Sequence, residues 1–192
     1  MSPSSLPYRT PLGDIPLAKG LLSEMDQTLQ DQSGLSLAPI SNDEEHSLEI
    51  ELPFLQRALD GPFDLIPIML RDQSRQIAQT LGEVLAGVIR NESCLLLAST
   101  DLSHFHSQTK ANQLDQQVLR QLQDCSPEGL FELKSQGQGE ACGLAPMAVV
   151  LWAARNLGAK DVTLLNYDTS ASATGDTSSV VGYGAAAITR PE

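Results

Sequence analysis

The sequence predicts an α/β fold, with helices flanking a central, mainly parallel or mixed sheet. Three observations carry that prediction. Two short runs, "FDLIPIML" and "CLLLAST", are apolar almost throughout, as strands covered on both faces are. Segments with helical periodicity alternate with these runs along the chain. Two β-rich stretches, "VTLLNYD" and "VVGYGAAAI", end it. At 192 residues the chain has room for one ordinary domain, and it shows neither an internal repeat nor an interdomain linker.

Residues 1 to 16 are rich in Ser and Pro and contain the turn-like "TPLGD", so they read as an extended surface segment. A helix is predicted over residues 17 to 30, with Leu21, Leu22, Met25 and Leu29 on one stripe. "LSLAPIS" reads as a short edge strand, because Pro39 cannot donate within a central ladder. The next helix runs from Asn42 to Leu59, capped by Asn42 or Asp43, with acids in its first turn. Leu48, Leu52, Leu55 and Leu59 define its buried face, and Pro53, which lacks an N–H, bends it. Between the two apolar runs a helix over 73 to 90 sets Ile77, Leu81, Val84, Leu85 and Val88 at helical spacing. Helices over 108 to 123, 127 to 136 and 144 to 157 follow, the last closed by Gly158. The polar loop "TSASATGDTSS" joins the final two strands.

Twenty-four acidic residues against twelve basic ones give a net charge of −12. Such a surface repels phosphate backbones and anionic lipid, which argues against nucleic-acid and membrane-surface partners. The longest uncharged apolar run, "LAPMAVVLWAA", is far shorter than the roughly 20 residues a spanning helix needs. The N-terminal segment lacks the basic and apolar regions of a signal peptide, so the cytoplasm is the expected location. Cys94, Cys125 and Cys142 are odd in number and widely spaced, which fits neither a disulfide framework nor a paired zinc motif. No Walker A loop, dinucleotide-binding glycine pattern or HExxH motif is present.

In α/β sheets ligands sit outside the carboxyl ends of strands, which directs attention to "STDLSHFHS" and to the loop after Tyr167. Asp101 stands three residues before His104. An acid there can hold the imidazole in one tautomer and raise its basicity, as for a general acid/base histidine. The plainer alternative makes Asp101 a helix cap and His104 a solvated side chain; His106 reads as a surface residue. His46 and Glu49 lie one helical turn apart, spaced either as two ligands or as a supporting hydrogen bond. The alternative is a histidine at a helix N-terminus packed beside an acid. Cys142, in "GEACGLAPM", sits at a predicted helix start, where the dipole and free N–H groups favour a thiolate. That prepares a nucleophile or a soft metal ligand, the alternative being a small buried hydrophobe, which is how Cys94 is read.

The order of motifs, "EEHSLEIELPFLQ", "STDLSHF", "ACGLAP" and "LNYDTSASATGDTSSVVGYGAAAI", resembles the Memo-like family, whose bacterial members are called AmmeMemoRadiSam system protein B. The likeness runs from "TPLGDIP" to the end of the chain. It implies a fold similar to the class III non-haem iron extradiol dioxygenases and a metal pocket with two histidines and a cysteine as ligands. By that resemblance Cys142 stands at the ligand cysteine, His104 at the acid/base histidine and Asp101 at its neighbouring acid. His46 and Glu49 fall on the helix that borders the pocket. The family's "PHAGY"-like and "GPSH"-like segments, which hold the two ligand histidines, precede the part matched here. This chain therefore corresponds to the C-terminal two-thirds of a single family domain. The resemblance then implies a pocket for iron or copper that this chain alone does not complete, and an open sheet edge that favours self-association.

Three functions follow as expectations. The first is redox or dioxygenase-like chemistry at a metal pocket. The second is a non-catalytic accessory module that uses the same pocket for a peptide, a small ligand or a partner protein, AMMECR-type and radical-SAM proteins being the partners implied by resemblance. The third is a hydrolase built on Cys142 and His104.

Overall fold

The computed structural model describes residues 2–3, 7–40 and 45–190. They gather in two compact units, one of residues up to 72 together with 87–93, the other of 73–86 together with 94 onward.

The first unit begins with β1 (Ser2–Pro3), β2 (Tyr8–Thr10) and β3 (Gly13–Ile15). The segment read as an irregular surface stretch thus holds an antiparallel hairpin, with Tyr8 opposite Ile15 and Thr10 opposite Gly13. Its strands are too short to show alternation. The turn is held by Thr10, whose hydroxyl accepts from Leu12 N–H and donates to Gly13 C=O, while Gly13 takes a φ of 126°. Next comes α1 (Lys19–Ser33), which buries Leu22, Met25 and Leu29 as its spacing predicts and ends on Gly34 in the left-handed conformation. The two-residue β4 (Pro39–Ile40) pairs in parallel with β1, the short strand expected around Pro39.

The predicted caps Asn42 and Asp43 lie outside the described residues. The helix itself, α2 (Ser47–Ala58), begins later than expected and contains Pro53. His46 is its N-cap residue, but the capping group is the Glu45 carboxylate, which accepts from the N–H groups of His46 and Ser47 at 2.8 and 2.9 Å. Those bonds, Ser47's first, hold the Glu45 carboxyl below the usual range. Of the predicted leucine stripe Leu52 is fully buried, Leu48 and Leu55 are half-buried and Leu59 is exposed. The run "FDLIPIML" makes one parallel bridge within this unit, Leu65 to Leu17.

The second unit opens with α3 (Arg75–Val88) as far as Ala86, and its Ala78, Leu81, Val84 and Leu85 are buried. Neither apolar run forms a regular ladder inside its own unit. Cys94, expected inside a covered strand, is exposed instead. The regular sheet here is antiparallel, in the order β5 (His104–His106), β7 (Val180–Thr189), β6 (Asp161–Thr169). With the parallel pairings of the first unit, the described residues form an α/β fold with strands of mixed sense, as expected.

Three helices follow the predicted boundaries to within a residue: α4 (Gln108–Gln123), α5 (Pro127–Gln136) and α6 (Leu144–Asn156). Ser126 caps α5 by accepting from Gly129 N–H, Pro127 opens it and Gly137 closes it, each residue suited to its place. Helix α4 buries Leu114, Val118 and Leu119. Gly184 of β7 is close enough that a Cβ there would lie 3.0 Å from Leu119. Phe131 of α5 stacks on Trp152 of α6 at 5.9 Å, and Glu128 takes bonds from Trp152 Nε1 and Arg155. The loop between β6 and β7 contains one short turn of helix, α7 (Ala171–Thr174).

Candidate functional site

The chemistry-bearing residues of the second unit meet where "STDLSH" passes the loop ahead of α6. The path is held by backbone and side-chain bonds on both sides. Leu102 N–H donates to Gly182 C=O, Gly182 N–H donates to Ser103 C=O, and Ser103 N–H donates to Asp115 Oδ1 at 2.9 Å. Asp115 is completely buried on α4, and its other oxygen accepts from the Tyr167 hydroxyl at 2.8 Å. Burial first, then this bond to the Asp115 carboxylate, pushes the Tyr167 hydroxyl pKa far above its ordinary value. Only glycine fits at 182, since a Cβ there would sit 1.9 Å from Asp115 Oδ2. The hydroxyl oxygen of Ser103 is buried without a hydrogen-bond partner.

On this support Asp101 Oδ2 lies 3.2 Å from His104 Nε2. If the ring donates from Nε2, its Nδ1 is left as the lone-pair nitrogen, and a proton-transfer histidine needs that arrangement. The pair expected from the three-residue spacing is therefore formed, and Asp101 does not act as a helix cap.

Cys142 comes to the same place by a different route. Its Sγ accepts from Asp101 N–H at 3.3 Å and lies 3.3 Å from Thr100 Oγ1, while its own N–H donates to Asp101 C=O at 3.3 Å. Thr100 Oγ1 in turn accepts from Gly143 N–H at 2.7 Å. The sequence suggested free N–H groups of the following helix as the thiol's partners. Helix α6 begins only at Leu144, and the donor is instead the backbone N–H of Asp101, 41 residues earlier and just ahead of β5. Gly143 permits this approach, because a Cβ there would stand 2.7 Å from Thr100 Cβ. One donor atom each from Asp101, His104 and Cys142 lies within 4.8 Å of the others.

His106, read as a surface residue, is one-third exposed and bonded through Nε2 to Glu140 at 2.9 Å. The pairing escaped sequence reading because 34 residues separate the partners. In the first unit His46 is largely exposed, 3.9 Å from Glu45, and Glu49 is an exposed acid of the first turn of α2. Cys125 is half-buried, and burial raises its thiol pKa. A hollow of about 430 Å³ in the first unit, lined by Leu12, Asp14, Gln56 and Arg57 among others, includes no member of the cluster. No helix among the described residues is long and apolar enough to cross a membrane.

An α/β framework that brings one cysteine, one histidine and one aspartate to a strand end defines a class of proteins with a candidate ion or proton-transfer site. Comparison of the whole chain narrows the class: a family profile described as Memo-like protein matches residues 2–187, and the chain belongs to that family. A MEMO1 family protein of Nitrosopumilus maritimus is 33% identical over 178 residues, which cover 93% of this chain and 64% of that protein. One from Methanosarcina mazei is 29% identical, with 93% and 66% covered. Another, from Methanothermobacter thermautotrophicus, is 32% identical, with 92% and 63% covered. The chain thus spans just under two-thirds of the length of these relatives.

Proposed function

We propose that this chain contributes Cys142, His104 and Asp101 to a non-haem metal pocket, for iron or copper, with redox or dioxygenase-like chemistry. The observation that carries the reading is the convergence of the three donor atoms within 4.8 Å, from segments about forty residues apart in sequence. A thiolate beside an imidazole suits a soft or borderline ion.

In this reading Cys142 is a ligand, His104 takes up and returns protons at Nδ1, and Asp101 holds the Nε2 proton of that ring. When bound, the ion supplies Lewis-acid and electron-transfer chemistry. His46 and Glu49 enter as supporting residues by their match to the family's helix alone, as does the extradiol-dioxygenase-like architecture. One thiolate, beside an imidazole and a carboxylate that are bonded to each other, holds an ion weakly. Ligands from polypeptide outside this chain complete the pocket, and AMMECR-type and radical-SAM proteins are the partners this reading names. A cytoplasmic setting suits three cysteines that are odd in number and widely spaced along the chain.

The experiment is anaerobic titration of the chain with Cu(I) and Fe(II) against chromogenic chelators. Cys142→Ala and His104→Ala should each weaken binding by about tenfold or more. Equal affinity in wild type and Cys142→Ala would remove the cluster from consideration as a metal site.

A second reading, a non-catalytic binding module at the same place, is favoured by the open setting. The side chains of His104 and Asp101 are 36% and 46% exposed, and Cys142 is exposed as well. Retention of partner capture by His104→Ala, with metal binding lost, would favour this reading.

A further inference from the structure

We propose that Phe105 is the ligand-contact residue of this site. It would hold an uncharged apolar group of a small molecule whose polar end meets Asp101, His104 and Cys142. The inference rests on reading that cluster as a ligand site, but not on which ion it holds.

His104 and His106 pair with Val181 and Val180, neighbours in β7, so three residues of β5 oppose two. Phe105 is the extra residue of a β-bulge. Its φ is 61°, one of two non-glycine residues in the left-handed region among those described. Bulges of this kind usually place glycine there, because a Cβ crowds the following carbonyl. The ring is also 78% exposed, so it gains little from burial. Neither backbone preference nor core packing accounts for a phenylalanine at this position. Strain of this sort persists where surrounding structure enforces it, and it concentrates at functional sites.

The ring's position says what it serves. Its centroid is 5.6 Å from that of His104, with the planes tilted by 51°. His104 belongs to the donor cluster with Cys142. On the far side of the bulge His106 bonds Glu140, two residues before Cys142 in the same loop. The bulge therefore presents an apolar face between two histidine–carboxylate pairs, the mixture of apolar wall and few polar groups that binds small molecules. The carboxylates of Asp101 and Glu140, on a chain of net charge −12, disfavour an anionic ligand.

Cys142 itself provides the reporter. Its alkylation by N-benzylmaleimide and by N-ethylmaleimide is timed in metal-free buffer, each in competition with glutathione, and read by mass spectrometry of the Cys142 peptide. Wild type should favour the benzyl reagent over the ethyl one by about threefold to tenfold more than glutathione does, the range of an aromatic pair contact. Phe105→Gly should lose that preference, Phe105→Tyr should keep it, and Phe105→Gly should melt no lower than wild type.

An unchanged preference in Phe105→Gly, or none in wild type, overturns the proposal. So does a clear fall in the melting temperature of Phe105→Gly, which would make the ring a packing residue. A change of oligomeric state with the preference intact would make it a protein-docking residue, and also overturns it. Because no metal is present, failure of the metal titration leaves this result standing, and loss of the preference leaves the metal reading standing.

Discussion

Asp115→Ala tests how the site is held. The substitution removes both acceptors of a carboxyl group that is completely buried and satisfies Ser103 N–H at 2.9 Å and the Tyr167 hydroxyl at 2.8 Å. Tyr167 retains Asn112 Oδ1 at 3.0 Å, so its hydroxyl is not stranded. The Ser103 N–H has no such second acceptor and is left buried, at a cost of about 1–3 kcal/mol. The side-chain volume lost against Gly182, where no Cβ could stand, adds a void that costs about 1 kcal/mol more. The total expected is about 2–4 kcal/mol.

Asp115→Asn is the control. Its Oδ1 can keep the Ser103 bond, and its NH₂ can donate to the Tyr167 oxygen while the tyrosine proton turns to Asn112. It should cost less than about 1.5 kcal/mol. Urea unfolding at neutral pH measures both variants, and the histidine ring protons followed by NMR report whether the Asp101–His104 contact loosens. If Asp115→Ala lay within about 0.5 kcal/mol of wild type, or the asparagine variant were equally damaged, the buried carboxyl would not be what anchors this strand end.

Two further outcomes follow from the same geometry. The Tyr167 pKa is raised in the folded state, so the stability it contributes is fully present below the unfolded value of about 10 and is lost as pH rises beyond it. Melting temperatures from pH 8 to 11 should fall above about pH 10 in wild type, and the fall should be shallower in Tyr167→Phe; equal slopes would contradict the assignment. Gly143→Ala places a methyl 2.7 Å from Thr100 Cβ and 3.2 Å from Ser99 C=O. It should destabilise by about 1–3 kcal/mol and weaken Cu(I) binding through displacement of Cys142; unaltered stability and affinity would show that the loop adapts freely.

Legibility differed from one residue to the next for identifiable reasons. Helices α4, α5 and α6 are legible because their signals are local, such as Ser126, Pro127 and Gly137 around α5 and Gly158 just after α6. The Asp101–His104 pair was predictable because three residues span one turn of chain. The β2–β3 hairpin escaped notice because three-residue strands carry no period. Cys94 is exposed within an apolar run because such a run says that a segment is fit for burial, not that a neighbour covers every residue of it. Glu45 caps α2 because its carboxylate reaches forward to the N–H groups of the next two residues, a role that Asn or Asp more often fills.

The sequence alone determined the α/β class, three helices almost to the residue, the family, and the candidates Asp101, His104 and Cys142. Tertiary structure decided which donor reaches the thiol, that His106 finds Glu140, and that Asp115, Gly182 and Tyr167 support the strand end. It also decided that Phe105 stands exposed on a bulge. The division has one physical cause. Helical spacing, caps and close pairs are set by interactions within a few residues of chain, whereas contacts across 34 to 52 residues depend on loop closure and on which neighbours the packed core leaves within reach.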